Sequence, residues 1–397
     1  MNDWSLQTVL DWLFTEGRMI ADNNRFTHGL ANTLVTAGAP LDGLRIMVHT
    51  LNPVVLAYAD FWSSTNNSTR TATARHGVLT SERYIGSPLQ VILEQNPTLR
   101  QPLDELPEDA HAAYTELIAD GYTDYLGLRF EFSDGSPSAV IFTTKQAGGF
   151  GDGDIEKLER LRNYLAPVLE LNSMRHTAVS VMNTYVGKRT GKKILNGMIQ
   201  RGDADLINAA LWFSDLRNFT HLTEVLPADQ LLDMLNHYFE FVAAAVGARG
   251  GEILRFIGDA MLIVFPIDDD TSPREACNAA IDAALDACDT LATLNHSRKR
   301  HGQPPIEFGV GLNVGEVIYG NVGAPDRLDF TVMGPAVNRS ARLESLTKSL
   351  GATILFSEEF ARLIDLPVQD LGEHEMKGVD GLQRVFGLRE NADPLES

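Results

Sequence analysis

Two aspartates stand where the chain leaves or reverses between apolar strand-like segments. Asp215 ends the segment "NAALWFSD", and Asp259 belongs to the Gly-Asp pair of "RFIGDAMLIVF". Taken alone, each carboxylate is an ordinary turn or strand-end residue. If the hairpin lies beside the first strand, as a βαβ crossover allows, both carboxylates meet at one edge of a sheet. The order of the segments therefore predicts an acidic pair.

Two carboxylates at one sheet edge repel each other, and a divalent cation removes that cost. Carboxylate oxygens with a neighbouring backbone carbonyl, such as that of Leu216, suit Mg²⁺ or Mn²⁺. These ions bind one or two carboxylates together with the phosphates of a substrate. We therefore predict a metal and phosphate site at this edge.

The overall charge limits the partners of such a site. The chain of 397 residues has 33 Lys and Arg against 53 Asp and Glu, a formal net charge of −20. This charge repels nucleic acids and anionic membranes at long range. No apolar segment reaches the roughly eighteen residues that a membrane-spanning helix needs. A phosphate-bearing ligand must therefore be held by local cations.

Five segments in the C-terminal half resemble the catalytic domain of the class III nucleotidyl cyclases. They occur in that family's order over about residues 205 to 390. The segments are "WFSDLRNFT", "GGEILRFIGDAMLIVF", "FGVGLNVGEVIYGNVG", "RLDFTVMGPAVNRSARLE" and "MKGVDG". The resemblance implies a cyclase catalytic domain at residues 204–390.

The resemblance also implies roles for individual residues. Asp215 and Asp259 match the two aspartates that bind both metal ions, Mg²⁺ or Mn²⁺. Asn338 and Arg342 match the pair that orients the ribose and stabilises charge on the reacting α-phosphate.

The phosphate and base contacts follow from the same resemblance. Lys377 matches the lysine that holds the β- and γ-phosphates, and Arg327 is expected to be a second triphosphate contact. Arg255 and Thr331 occupy the two base-selecting positions. Adenylate-forming members usually have lysine at the first position, and guanylate-forming members have glutamate. Arginine departs from both, but it can donate to adenine N1 while Thr331 accepts from the 6-amino group.

Three functions remain open at this point. The resemblance implies a homodimeric adenylate cyclase that converts ATP to 3′,5′-cyclic AMP and pyrophosphate by two-metal catalysis. A guanylate cyclase is the first alternative, because the donors of Arg255 can also face guanine O6. A catalytically silent nucleotide-binding signalling protein is the second, although all the matched residues are present.

The elements that must position these residues alternate regularly. The C-terminal half has a β-α-β-β-α-β order, which predicts an antiparallel or mixed sheet with helices on one face, the ferredoxin-like arrangement. Residues 1–170 form an α+β unit that resembles GAF-like sensory domains in architecture, with an N-terminal amphipathic helix broken near Gly17. Residues 171–203 are predicted to be a helical linker and residues 391–397 a tail. The fold class is α+β, and the first unit is expected to bind an unidentified regulator.

The helix after "GGFGDGD" has apolar residues at alternating spacings of three and four. These are Leu158, Leu161, Leu165 and Val168, and Pro167 is expected to interrupt the helix. One interpretation packs this seam on its own domain, and the other makes it a dimer-forming signalling helix.

The N-terminus and the cysteines indicate an intracellular protein. The segment "MNDWSLQTVLDWLF" lacks the basic start and cleavage site of a secretory signal, so a cytoplasmic location is expected. Cys277 and Cys288 lie on one predicted helix, where they cannot form a disulfide, and both are expected to be core residues.

Overall fold

The computed structural model describes residues 4–50, 55–107 and 110–389. The predicted tail at 391–397 lies outside them, as does the end of the predicted first strand at 51–52. The chain divides into two compact units on either side of the Val181–Met182 bond. Each unit has its own sheet, and each is taken by itself below.

The first unit opens with two helices, α1 (Leu6–Thr15) and α2 (Asn23–Thr36). The predicted break near Gly17 is confirmed, because a short 3₁₀ turn begins at that residue. A Cβ atom at Gly17 would lie 2.9 Å from the Trp12 ring, so only glycine admits this close approach. The Asp22 side chain caps the N-terminus of α2.

A six-stranded sheet follows, in the order β3-β2-β1-β6-β5-β4, with every neighbouring pair antiparallel. Its elements in chain order are β1 (Gly43–His49), β2 (Val55–Ser63), β3 (Ser68–Arg75), α3 (Pro88–Gln90), β4 (Thr98–Pro102), α4 (Ala112–Ala119), β5 (Asp124–Glu131) and β6 (Pro137–Thr144). Sequence reasoning missed β3 and β4. Strand β3, "STRTATAR", is an edge strand without the apolar alternation that marks a half-buried strand.

Side chains on the two faces of this sheet enter different clusters. Leu44, Ile46 and Val48 of β1 pack with α1 and α2 in the larger core. Met47 belongs to a smaller cluster with Tyr125 and residues near α4. The alternation follows from the two-residue period of a strand.

Helix α5 (Asp152–Val186) closes the first unit and runs beyond it. The predicted interruption at Pro167 is wrong, because the proline lies inside a continuous helix. Leu165 and Leu169 are buried in the core of the first unit, one before and one after the proline, and this packing holds the helix in place on both sides of it. Asn172 extends the buried stripe, since its Nδ2 donates to the Ile20 carbonyl at 3.0 Å. The seam thus packs on its own domain, as the first interpretation proposed.

The second unit contains a sheet in the order β13-β14-β12-β10-β7-β9-β8, with β11 paired to β10. Its elements in chain order are α6 (Lys188–Leu195), β7 (Ala204–Leu216), α7 (Phe219–Val225), α8 (Ala228–Ala248), β8 (Glu252–Ile257), β9 (Ala260–Ile267), α9 (Pro273–Arg300), β10 (Phe308–Ala324), β11 (Arg327–Met333), α10 (Pro335–Leu350), β12 (Ile354–Ser357), α11 (Glu358–Ala361), β13 (Val368–Glu375) and β14 (Leu382–Leu388). The central order β10-β7-β9-β8 is the ferredoxin-like order, so the sheet agrees with the β-α-β-β-α-β prediction.

Helices α8 and α9 cover one face of this sheet. Trp212 of β7 and Tyr238 of α8 are fully buried in the core between the sheet and these helices. Cys277 is buried in the same core and Cys288 is half-buried beside it, both as free thiols. Burial raises the pKa of Cys277 to about 12, which leaves this thiol unreactive at neutral pH.

Helix α6 contacts the same unit through polar groups. The Glu252 carboxylate accepts from the backbone N–H groups of Arg189 and Thr190 at the start of the helix, at 3.0 and 3.4 Å. The Thr190 and Tyr319 hydroxyls are hydrogen-bonded at 2.8 Å. Part of the predicted linker is therefore held against β8 and β10.

Within the ranges given above, the search for a helix long and apolar enough to cross a membrane finds none.

Candidate active site

The fold brings the two predicted aspartates together. Asp215 is the next-to-last residue of β7, and Asp259 precedes β9, which pairs with β7 in a register that sets Ser214 opposite Met261. A two-residue loop turns β8 into β9, with a φ of 65° at Gly258, the left-handed region that glycine tolerates best. The carboxyl groups of Asp215 and Asp259 lie close enough for Asp259 to raise the pKa of Asp215.

The environment of Asp215 resists negative charge. Burial raises its pKa to about 7, and the neighbouring carboxyl group of Asp259 acts in the same direction. One carboxylate oxygen, Oδ1, is buried without a hydrogen-bond partner. The amide group of Leu216 lowers this pKa and partly offsets these effects. A buried oxygen without a donor beside a second carboxyl group is suited to a cation.

A third carboxylate, which sequence reasoning missed, lies near this pair. Glu344 on α10 has its pKa raised to about 7 by burial and by the charge of Asp259, with Arg217 opposing the shift. Gly309 faces Asp215 across the sheet, and a Cβ there would lie 2.7 Å from Glu344 Oε1. Glu344 lies in the "ARLE" segment, but its spacing from neighbouring motif residues did not predict that it would lie near the aspartates.

The donor set fits a divalent cation with few protein ligands. Across residues 4–50, 55–107 and 110–389, no three His, Cys, Asp or Glu side chains form a metal-binding group. Mg²⁺ and Mn²⁺ typically take one or two carboxylates and complete their shell with water and phosphate oxygens. The pair formed by Asp215 and Asp259, with the unpartnered Oδ1 of Asp215, meets that requirement.

Asn338, Arg342 and Lys377 form a second group. Asn338 and Arg342 lie four residues apart on α10, on one exposed face of the helix. The Nε of Arg342 donates to the backbone carbonyl of Lys377 at 3.0 Å. The structure thus brings these three predicted residues together.

The two groups lie on different sides of α10. Glu344, whose charge interacts with the aspartates, follows Arg342 by two residues. Residues two apart on an α-helix point about 200° apart around its axis. The face of α10 near Asp215 and Asp259 is therefore not the face that presents Arg342.

The two positions predicted to select the base are linked by Asp329, a residue that sequence reasoning did not single out. Arg255 Nη2 on β8 lies 2.7 Å from the Asp329 carboxylate on β11. Thr331, which is 7% exposed, follows Asp329 by two residues on the same strand face. Both Arg255 and Asp329 are about half exposed, so the ion pair is accessible to a ligand.

Arg327 is not brought into either group. It is exposed as the first residue of β11, opposite Ala324. Its guanidinium has no ion-pair partner in the part of the chain that the structure describes. A role in phosphate binding stays a prediction from the resemblance.

Comparisons with known proteins agree with this geometry. The family model for the adenylate and guanylate cyclase catalytic domain matches residues 204–389. The adenylate cyclase of Anabaena cylindrica is 34% identical over 205 residues, which are 50% of this chain and 39% of that protein. The terminal-differentiation specific adenylate cyclase of Dictyostelium discoideum is 37% identical over 157 residues, 40% of this chain and 7% of that protein.

Among solved structures, the adenylyl cyclase CyaB from P. aeruginosa is 29% identical and covers 48% of this chain and 98% of its own, with a TM-score of 0.43. This chain spans well under two thirds of the length of both curated relatives. The matched residues are those that carry the aspartate pair, the asparagine and the arginine. Residues 204–389, most of the second unit, thus match the family model for the adenylate and guanylate cyclase catalytic domain.

Proposed function

We propose that the chain is an adenylate cyclase that converts ATP to 3′,5′-cyclic AMP and pyrophosphate at sites shared between two copies of the chain. The observation that carries this proposal is the closely placed pair of Asp215 and Asp259 beside α10, whose opposite side presents Arg342. Each copy thus has an acidic half-site at Asp215 and Asp259 and a basic half-site at Arg342. A second copy supplies the missing half of each.

The acidic half-site suits two Mg²⁺ or Mn²⁺ ions, held by Asp215 and Asp259 with the backbone carbonyl of Leu216 as a further oxygen. When bound, these ions lower the pKa of the ribose 3′-hydroxyl and neutralise the pyrophosphate leaving group. The protein's part is to hold two carboxylates at one sheet edge. The unpartnered Oδ1 of Asp215 supports this role.

The basic half-site orients and stabilises the substrate. Arg342 offers fixed donors to the α-phosphate oxygens, whose negative charge grows as the 3′-oxygen attacks phosphorus. Asn338, one turn earlier, is placed to orient the ribose. Lys377 neutralises the β- and γ-phosphates, with Arg327 as a second contact. The hydrogen bond from Arg342 to the Lys377 carbonyl supports their joint action.

Base recognition is assigned to Arg255 and Thr331. A guanidinium N–H of Arg255 donates to adenine N1, and the Thr331 hydroxyl accepts from the 6-amino group. One observation favours the guanylate alternative: the Asp329 carboxylate beside Arg255 is an acceptor that guanine N1 and its 2-amino group can use. We keep ATP as the proposed substrate, because an exposed carboxylate held by Arg255 is already partnered.

A homodimer also has support from α5. Side chains on this helix that are not used in the core recur with the spacing of a coiled-coil seam. They are Tyr164, Leu171, Met174 and Tyr185, which are 38%, 45%, 63% and 76% exposed. This stripe differs from the buried one that begins at Leu158. We propose that it pairs with the same stripe of a second copy.

We further propose that the first unit, GAF-like in its α+β architecture, regulates turnover through the helical segment between the units. The anchoring of α6 by Glu252 supports this route. Glu252 precedes Arg255 by three residues on β8, so a shift of α6 changes the strand that presents the base contact.

Product analysis tests the activity. The purified full chain is incubated with ATP or GTP and with Mg²⁺ or Mn²⁺, and the cyclic product is identified by mass spectrometry. Cyclic AMP is the expected main product. A dominant cyclic GMP product overturns the substrate assignment. A folded, dimeric chain that makes no cyclic nucleotide under any of these conditions supports the catalytically silent alternative.

Mixing two inactive variants tests the shared site. Asp259→Ala chains lack the acidic half, and Arg342→Ala chains lack the basic half. A heterodimer of the two retains one complete site, so mixing and re-equilibration should restore activity. Each variant alone is the control. Failure of folded heterodimers to regain activity would contradict a site built from two copies.

A further inference from the structure

A large cavity lies within the first unit. Its volume is about 750 Å³, within the range of small-molecule binding sites. Strands β1 and β2 form its floor, and apolar side chains such as Leu89, Leu93 and Leu117 line its walls. No catalytic role assigned above uses this space.

The side chain of Arg45 lies at the floor of this cavity, and no carboxylate of the described residues forms an ion pair with it. Arg45 lies between Leu44 and Ile46 of β1, and its side chain lines the cavity. Its Nε is buried and has no hydrogen-bond partner. Its guanidinium carbon lies over the Phe61 ring, 4.6 Å from the ring centroid. Within the described ranges, Arg45 forms no ion pair.

A buried, unpaired guanidinium is costly, because the protein interior solvates charge poorly. Burial lowers the pKa of Arg45, and the positive charge of Arg70 acts in the same direction, while Tyr125 opposes both. Arg70 itself lies 4.1 Å from the centroid of the same Phe61 ring. Two cations thus flank one aromatic ring at this cavity.

The acidic side chains that line the cavity do not compensate this charge. Glu94 is engaged by the Tyr84 hydroxyl at 2.8 Å and by Gln90 Nε2 at 3.0 Å. Glu116 and Asp120 are exposed to solvent. The cavity therefore combines apolar walls with a cation, Arg45, that lacks an anionic partner among the described residues.

We propose that this cavity binds an organic monoanion, a carboxylate attached to an apolar body. The planar guanidinium of Arg45 matches a carboxylate in a two-point contact. The apolar walls accommodate the rest of the ligand, and the ring of Phe61 favours an aromatic body. A polyphosphate does not fit this description, because Arg45 is the only arginine of the described lining that is not exposed, and Arg70 and Arg83 face solvent. The ligand is thus chemically distinct from the nucleotide of the catalytic domain.

Matched acids and alcohols test the charge requirement. The full chain is titrated in a calorimeter with 2-naphthoate and decanoate, and with the neutral 2-naphthylmethanol and decan-1-ol. The acid can form a charged hydrogen bond with Arg45 that the alcohol cannot form. We therefore expect at least one acid to bind about ten- to a hundredfold more tightly than its alcohol. The proposal is overturned if neither acid binds more tightly than its alcohol.

Variants test the location. Arg45→Met keeps an unbranched apolar side chain and should reduce the affinity for the acid to that for the alcohol. The matched control is Arg25→Met, because Arg25 is an exposed residue of α2 outside the cavity lining. Ala59→Trp fills the cavity from β2 and should abolish binding of acid and alcohol together. Unchanged acid binding in folded Arg45→Met overturns the assignment. Because binding is measured without turnover, the result is independent of the proposed cyclase activity.

Discussion

Arg255 on β8 and Asp329 on β11 form an ion pair, with the Arg255 Nη2 atom 2.7 Å from the carboxylate. The pair lies beside Thr331, so the position that departs from the family's usual lysine is held by a carboxylate of its own chain. A lysine has a single ammonium group, whereas the guanidinium can bind Asp329 and still present further N–H donors. The ion pair therefore holds Arg255 in a defined orientation at the position where we propose that it contacts the base.

Replacing Asp329 by Asn should weaken substrate discrimination more than it weakens chemistry. The exposed ion pair contributes about 0.2–1 kcal/mol, so a rise of roughly two- to fivefold in KM for ATP is expected, with kcat nearly unchanged. Steady-state kinetics with ATP and GTP measure both constants. Asp282→Asn, which removes a partner of the surface ion pair with Arg249, is the matched control. A large fall in kcat with unchanged KM would contradict a positioning role.

Removing either aspartate should abolish turnover without unfolding the domain. Asp215→Asn or Asp259→Asn is expected to lower kcat by at least about a hundredfold, because electrostatic stabilisation of this kind is worth several kcal/mol. Circular dichroism and thermal unfolding report folding, and cyclic nucleotide formation reports activity. Retention of near wild-type turnover by a folded variant would exclude that residue from metal binding.

The raised pKa of Asp215 predicts a specific pH dependence of stability. Between its ordinary value of 3.8 and about 7, the folded chain binds a proton at Asp215 that the unfolded chain releases. Stability of the metal-free chain should therefore fall as the pH rises through this window. Thermal unfolding in EDTA between pH 4 and pH 8 measures the slope.

Asp215→Asn is the control for this dependence, because it removes the titrating group. The difference in Tm between wild type and variant should grow in favour of the variant as the pH rises. Saturating Mn²⁺ should stabilise the wild type at pH 8 more than the variant, since metal binds the ionised carboxylates. Identical pH profiles for both chains would show that Asp215 does not titrate in this window.

Glu344 is expected to strengthen metal binding without contacting the reacting atoms. Its carboxylate adds negative charge near Asp259. Glu344→Gln should therefore raise the Mn²⁺ concentration for half-maximal activity several-fold while leaving kcat at saturating metal nearly unchanged. Glu359→Gln on the short helix α11 is a surface control. A metal titration identical to wild type would leave Glu344 with a packing role only.

The anchor of α6 offers a test of communication. Glu252→Ala removes the acceptor of two backbone N–H groups and should destabilise the docking of α6 by about 1–3 kcal/mol. Faster trypsin cleavage near Lys188 and altered turnover of the full chain are expected together. Glu224→Ala on α7 controls for loss of a carboxylate elsewhere. Faster cleavage with unchanged turnover would show that the docking of α6 does not control activity.

Local sequence signals predicted the elements of the catalytic domain well. Alternating strands and amphipathic helices predicted its β-α-β-β-α-β order, and Gly258 with Asp259 indicated the hairpin turn that the structure confirms. Motifs with a fixed spacing on one element, such as Asn338 and Arg342, were also predictable, because helix geometry determines which face they share.

Other features depended on contacts between elements distant in the chain. Helix α5 continues through Pro167 because its buried leucines pack on the first sheet, and the edge strands β3 and β4 exist through pairing rather than apolar pattern. The cavity around Arg45 likewise needed a sheet and distant helices to enclose it.

The amino-acid sequence by itself determined which residues are candidates for the chemistry, because the five segments that resemble cyclases contain the aspartates, the asparagine and the cations in order. Only the tertiary structure decided their electrostatic neighbours. Glu344 approaches the aspartates and Asp329 pairs with Arg255 because helix α10 and strand β11 fold back onto the central sheet. Charge interactions act through space, over distances that spacing along the chain does not specify.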